Sequence, residues 1–167
     1  MYQKSVILSQ LGVREKSGKN DGKQINAYRA SVAVWLNKMK PLPPWCASFV
    51  NWIYQKSDLK TKVKSARARD YFGTQFSSYD PNISIGRTPQ FGDAAGYYFG
   101  NKVIRHIGIV YEWNPDPKVV MCRIYEGNTS GKSLTGVVCR EGDGVYLKWR
   151  NKKLVKRITP IHNLTRK

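Results

Sequence analysis

The chain reads as an α+β protein in which N-terminal helices pack on a C-terminal antiparallel sheet. Two textures predict this. Up to about residue 56, apolar residues recur at helical spacing, as in Ile25, Tyr28, Val32 and Trp35. From Ala94 onward, short runs rich in Val, Ile, Tyr and Trp alternate and are cut by turn residues. Helices first and strands afterwards is the order expected of helices segregated to one side of an antiparallel sheet. A third observation is size: 167 residues, 41% hydrophobic and 12% aromatic, form one domain over 1–167 with a substantial core rather than a disordered polymer.

Residues 5–13, with Val6, Ile7, Leu8, Leu11 and Val13, predict a short amphipathic helix ending near Gly12, and 14–23 is a polar, glycine-containing loop. Asp21 can cap a second helix from about Gly22 to Asn37. Pro43 and Pro44 cannot sit inside a helix and push the residues before them to extended backbone. From Cys46 to Gln55 nothing breaks a helix. Its polar residues Ser48, Asn51 and Gln55 fall at helical spacing and the rest is apolar from Ala47 to Tyr54, so this helix is buried on most of its circumference.

Lys56 to Arg69 is strongly basic, with room for another short helix, and 73–92 is a long loop of the kind that is often functional. Strands are expected at Ala94–Phe99, Val103–Trp113, Val119–Glu126, Gly144–Arg150 and Leu154–Thr159. Asn114-Pro115-Asp116-Pro117 turns the second of these into the third as an antiparallel hairpin.

Twenty-nine Lys and Arg against 11 Asp and Glu give a formal charge of +18, which implies a polyanionic partner. Nucleic acid is the commonest such partner, and the runs Lys60–Arg69 and Lys148–Arg157, with interspersed Tyr and Trp, suit phosphate contacts. An anionic cell wall would serve equally, and charge does not choose between them. No apolar run approaches the roughly 18 residues that span a bilayer. Met1-Tyr2-Gln3-Lys4 opens no secretory leader, so the expectation is a protein made in the cytoplasm without a signal peptide. Cys46, Cys122 and Cys139 lack C-x-x-C spacing and indicate neither a disulfide framework nor a zinc site.

Cys46 lies at the first turn of the buried helix. Free backbone N–H groups and the helix dipole there favour a thiolate and can cradle an oxyanion. By position alone it is also an ordinary small buried hydrophobe. Only two histidines exist. His162 lies near the basic C-terminal end and reads as exposed, whereas alternation puts His106 on the inward face with Ile104, Gly108 and Val110, and Arg105 on the other. Glu126 closes the neighbouring strand on a face with Val120, Cys122 and Ile124, where it can hold the second imidazole nitrogen. Asn128 can do the same from Gly127-Asn128-Thr129-Ser130-Gly131, and both stay open as the third member. Cys122 is the poorer nucleophile, since burial in mid-strand raises a thiol pKa; Cys139 has no acid–base partner nearby in sequence.

The stretch Pro44-Trp45-Cys46-Ala47-Ser48-Phe49-Val50-Asn51-Trp52 resembles the cysteine motif of the CHAP amidase/peptidase family, a branch of the NlpC-type, papain-like hydrolases. The order agrees: Cys46, then Gly92-Asp93, then Arg105-His106-Ile107-Gly108-Ile109-Val110, then Glu126-Gly127-Asn128-Thr129. Leu11–Tyr28 and Gly142–Arg150 also resemble phage and bacterial cell-wall hydrolases, so the likeness covers nearly the whole chain. Two departures are Ile107, where relatives often carry Val, and the lack of a separate wall-binding domain.

The resemblance implies a papain-like fold and cleavage of peptidoglycan amide bonds, as amidase or endopeptidase, by a phage lysin or an injected antibacterial effector. In that reading Cys46 is the nucleophile, His106 the base, and Glu126 or Asn128 the orienting group. Glu15, Asn20 and Trp45 contact substrate. The partner is peptidoglycan or another anionic envelope polymer, met in the periplasm or cell wall, and an effector would have an immunity protein. The chemistry requires no metal or organic cofactor. The runner-up is a non-catalytic nucleic-acid-binding protein, which gives no reason for the Cys–His–Glu order.

Overall fold

In the computed structural model, which describes residues 4–73, 87–99, 103–131 and 142–166, three helices precede the main sheet: α1 (Lys4–Leu8), α2 (Lys23–Val32) and α3 (Cys46–Lys56). The strands are β1 (Lys60–Thr61), β2 (Ala94–Tyr98), β3 (Ile104–Trp113), β4 (Met121–Thr129), β5 (Gly144–Asn151), β6 (Arg157–Thr159) and β7 (Thr165–Arg166), with a short α4 (Ile161–Leu164) before the last. Five of them form one antiparallel sheet in the order β5-β4-β3-β2-β6, and β1 pairs with β7. This is the expected α+β class, helices N-terminal and sheet C-terminal. Among the described residues no helix is long and apolar enough to cross a membrane.

α3 is the central helix. Eight of its eleven residues, including Ser48 and Asn51, are buried. Phe49, Val50 and Ile53 join Ile107, Ile109 and Tyr125 of the sheet in one apolar cluster, and full burial of each such side chain is worth about 1.5–3 kcal/mol. α2 packs alongside, with Asn51 Nδ2 donating to Ser31 O and Oγ, both at 3.0 Å. Gly127 makes the close approach of β4 possible: a Cβ there would lie 2.7 Å from Phe49 Cγ and 2.8 Å from Trp45 Cζ3.

A second cluster, Ala95, Tyr97, Val110, Cys122, Ile124, Val155 and Ile158, fills the other face of the sheet. The five residues between β5 and β6 join opposite edges, and such a link spans at most about 20 Å. Four strand spacings of about 4.8 Å match that reach only at full stretch. The sheet therefore curls, its edges draw together, and β3 is buried on both faces from His106 to Val110.

Several expectations are corrected. The first helix stops at Leu8, because residues 12–15 instead lie along β5, with Gly12 N–H donating to Val145 O and Val145 N–H to Val13 O. Asp21 does not cap α2; its carboxylate accepts from the Ser17 N–H (2.8 Å) and hydroxyl (3.0 Å), closing the preceding loop. The 22–37 helix breaks at Ala33, which is extended, and a 3-10 turn follows at Val34–Lys38. Asn37 Nδ2 donates to Asn26 O at 3.0 Å, which a continuous helix would hold roughly 16 Å apart.

No α-helix forms between 57 and 69; β1 lies there, and a 3-10 turn follows at Ala68–Tyr71. The hairpin of β3 and β4 is as expected, in the register Trp113↔Cys122. The last predicted strand keeps only Arg157–Thr159, since Asn151 caps a 3-10 turn at Lys152–Leu154 by accepting from Lys153 N–H. Most of the predicted 73–92 loop lies outside the described residues, as does Cys139.

Candidate active site

The chain enters α3 through Pro43 and Pro44, and Cys46 is its first residue. The first-turn N–H groups of a helix have no intrahelical acceptor and face whatever lies beyond the terminus. Trp45, the residue before, is held from three sides. Its indole N–H donates to Glu15 Oε1 at 2.8 Å, and its ring stacks on Tyr28 with centroids 5.5 Å apart. With the Asn128 amide oriented so that both its ends are satisfied, its oxygen accepts from the Trp45 backbone N–H at 3.2 Å and its nitrogen donates to Gly142 O at 2.9 Å. Glu15 Oε2 in turn accepts from Asn20 N–H at 2.9 Å, and Asn20 Nδ2 donates to Leu42 O at 3.2 Å.

His106 is fully buried, and its Nε2 is 3.0 Å from Glu126 Oε2. The position depends on an irregularity in β3: Tyr97 pairs with His106 but Tyr98 with Ile104, so Arg105 is an extra residue. The bulge turns Ile104 into the helix-side cluster, off the face it was expected to share with His106. Arg105 points outward, as expected.

Glu126 is also fully buried and saturated with donors. Arg150 gives it a bidentate pair, Nε to Oε1 and Nη2 to Oε2, both at 2.7 Å, and the Tyr97 hydroxyl donates to Oε1 at 3.0 Å. Burial opposes the charge of this carboxylate, but the hydrogen bonds and charges of Arg150 and His106 overcome it and hold its pKa well below the usual range. Being ionised, Glu126 only accepts, so Nε2 of His106 carries a proton in both charge states and the lone pair of the neutral imidazole is on Nδ1. Nδ1 is buried and has no well-aligned partner. Cys46, at the start of α3, is with Glu126 one of the two groups that act on the imidazole. Burial works against the imidazolium, yet Cys46 and Glu126 together raise the His106 pKa from 6.5 to about 9.

The predicted residues thus fall into two groups. Cys46, His106 and Glu126 come together. Asn128 is buried with φ 58°, and its side chain holds Trp45 and Gly142 rather than His106. Trp45, expected to contact substrate, has a ring with no exposed surface in this structure. Glu15 and Asn20 are half-buried and spend the hydrogen bonds above on positioning the entry to α3. His162 is exposed, as expected.

Sequence reasoning missed Arg150 and Tyr97. It placed Arg150 in a basic run suited to phosphate, yet Arg150 and Lys148 are both buried, and Lys148 Nζ donates to Ser130 O at 2.5 Å. The signal was the register: Arg150 pairs with Cys122, which shares a sheet face with Glu126. Cys122 itself is buried, with its thiol donating to Arg150 O at 3.3 Å and burial pushing its pKa up to about 12, which leaves Cys46 as the usable thiol of the two described.

A groove of about 930 Å³ opens over the start of α3, with Cys46 in its lining. The chain matches no protein-family model, and comparison with curated proteins and with solved structures found no match.

Proposed function

We propose that this protein is a cysteine-dependent amide hydrolase that cleaves peptidoglycan, as a lysin or an antibacterial effector. One arrangement carries the reading. A buried imidazole is held at one nitrogen by a buried carboxylate, and the cysteine that acts on the same imidazole starts a helix and lines a groove of substrate size. Peptidoglycan as substrate is supported by the likeness of the Cys46 and His106 segments to wall hydrolases and by the +18 charge, which suits an anionic envelope.

In the reaction, His106 Nδ1 takes the Cys46 proton and the sulfur attacks the amide carbonyl carbon. The first-turn N–H groups of α3 stabilise the oxyanion. The tetrahedral intermediate collapses, His106 gives its proton to the leaving amine, and a thioester remains. A water deprotonated by His106 then hydrolyses it and frees the thiol. Glu126 keeps the imidazole in the tautomer the first step needs, and Arg150 keeps Glu126 ionised.

The test is digestion of purified peptidoglycan by the wild type and Cys46→Ala, with products identified by mass spectrometry. Loss of the nucleophile lowers release by at least about 10³-fold. Fragment masses separate amidase from endopeptidase. A folded wild type that releases nothing from several wall chemotypes ends the substrate claim.

A further inference from the structure

The groove over Cys46 has two unlike walls. One is apolar and includes Trp35, Met39, Pro43 and Pro44, with Trp35 61% exposed and Met39 40% exposed. Large apolar side chains standing free beside a nucleophile are surface that a ligand can cover. The other wall is cationic: Lys64, Arg67 and Arg69 come from the segment after β1, and Arg105 comes from the β3 bulge next to His106. All four are exposed. The one carboxylate in the lining, Asp70, is engaged by the Ser65 hydroxyl and lies 3.8 Å from Arg69 Nε. Among the described residues no ion pair holds Lys64, Arg67 or Arg105.

Surface cations ordinarily face water and contribute little. These four line a concavity with a low-dielectric opposite wall, which focuses their field on what enters. A guanidinium also matches a carboxylate with two parallel hydrogen bonds. We infer that the amide cleaved at Cys46 belongs to an anionic peptide, with a free carboxylate near the scissile bond held on the Arg67–Arg105 wall and an apolar side chain lying on Trp35 and Met39. This rests on Cys46 being the nucleophile and narrows which amides it takes.

The test needs no hydrolytic activity. Iodoacetate and iodoacetamide are nearly the same size, and each forms an S–C bond as the thiolate displaces iodide; only iodoacetate is anionic. Their rates at Cys46 are measured by mass spectrometry of the Cys46 peptide in the intact protein, and their ratio is divided by that of N-acetylcysteine amide. His106 also places positive charge at the thiol, so the deciding quantity is the change on removing the arginine charges. In Arg67→Glu/Arg105→Glu the normalised ratio falls about tenfold, as expected for loss of a focused field, while the iodoacetamide rate stays within about twofold. Arg67→Gln and Arg105→Gln each give part of that fall, and they decide the matter if the double variant does not fold.

A ratio unchanged by charge removal overturns the assignment. Wall digestion that fails beside an expected ratio removes the hydrolase reading and leaves the anion-selective groove. Digestion that succeeds beside an unchanged ratio does the reverse.

Discussion

Glu126 reaches His106 by passing over Gly108. A Cβ on Gly108 would lie 2.9 Å from Glu126 Cγ, and also 2.6 Å from Ile124 Cγ2 and 2.8 Å from Tyr125 O. The glycine two residues after the histidine is thus required by the close packing of Ile124, Tyr125 and Glu126 against it, not by backbone conformation. Gly108→Ala should cost about 1–3 kcal/mol through overpacking. Turnover should fall further than the lost folded fraction accounts for, because Glu126 is displaced from Nε2. Urea unfolding and the rate of wall digestion, measured on the same preparation, check both parts.

The imidazole titration offers a direct reading of the pair. His106 has a folded pKa of about 9, above its ordinary 6.5. Its contribution to stability is fully present below pH 6.5 and is lost as pH rises through 9. Glu126→Gln removes the charge and replaces one acceptor oxygen with an N–H donor, so the His106 pKa should fall and the alkaline limb of the activity profile should move to lower pH. Ring-proton NMR of His106 is the measurement. An unmoved titration would remove Glu126 as its partner.

Asn128→Ala makes the contrasting case. It should leave the His106 titration where it is and weaken the anchoring of Trp45, costing about 1–3 kcal/mol for the unpaired buried groups. Activity should drop less than in Cys46→Ala. NMR and thermal unfolding of the two variants, run side by side, separate an orienting group from a scaffold residue.

Arg150→Met leaves Glu126 buried without its bidentate partner. Breaking such a pair costs about 3–5 kcal/mol. Arg150→Lys should recover part of this, since one ammonium cannot replace two parallel N–H donors. Chemical denaturation of the three proteins checks the order wild type, Lys, Met.

Wall digestion should slow as salt rises from about 0.05 to 0.5 M, where the screening length shortens to several ångströms. Fold stability, which rests on buried groups, should change little over that range. Salt-independent digestion would deny the +18 charge a part in holding the wall.

The class of fold, the central helix and the β3–β4 hairpin were all legible, because each is written in a local period. Cys46 and His106 could be read as candidates from helix position and strand alternation. Arg150 could not be read in its role. Its place beside Glu126 follows from the β4–β5 register, and a basic residue amid basic neighbours resembles a solvated face until that register is known. The break at Ala33 was hidden for a related reason: it follows from Asn37 folding back onto Asn26, a contact no periodicity announces. Asn128 stayed ambiguous in the sequence because its left-handed backbone turns it toward Trp45 rather than His106.

The buried arginine that keeps Glu126 ionised lies in β5, far along the chain from the helix that carries Cys46. During synthesis the thiol leaves the ribosome long before the strand that completes the charge balance around its base. A chain that stops before β5 therefore has Cys46 but lacks the arginine that balances the charge of Glu126. On the proposed reaction, such a truncated chain is inert toward any amide, and only one that includes β5 can be active.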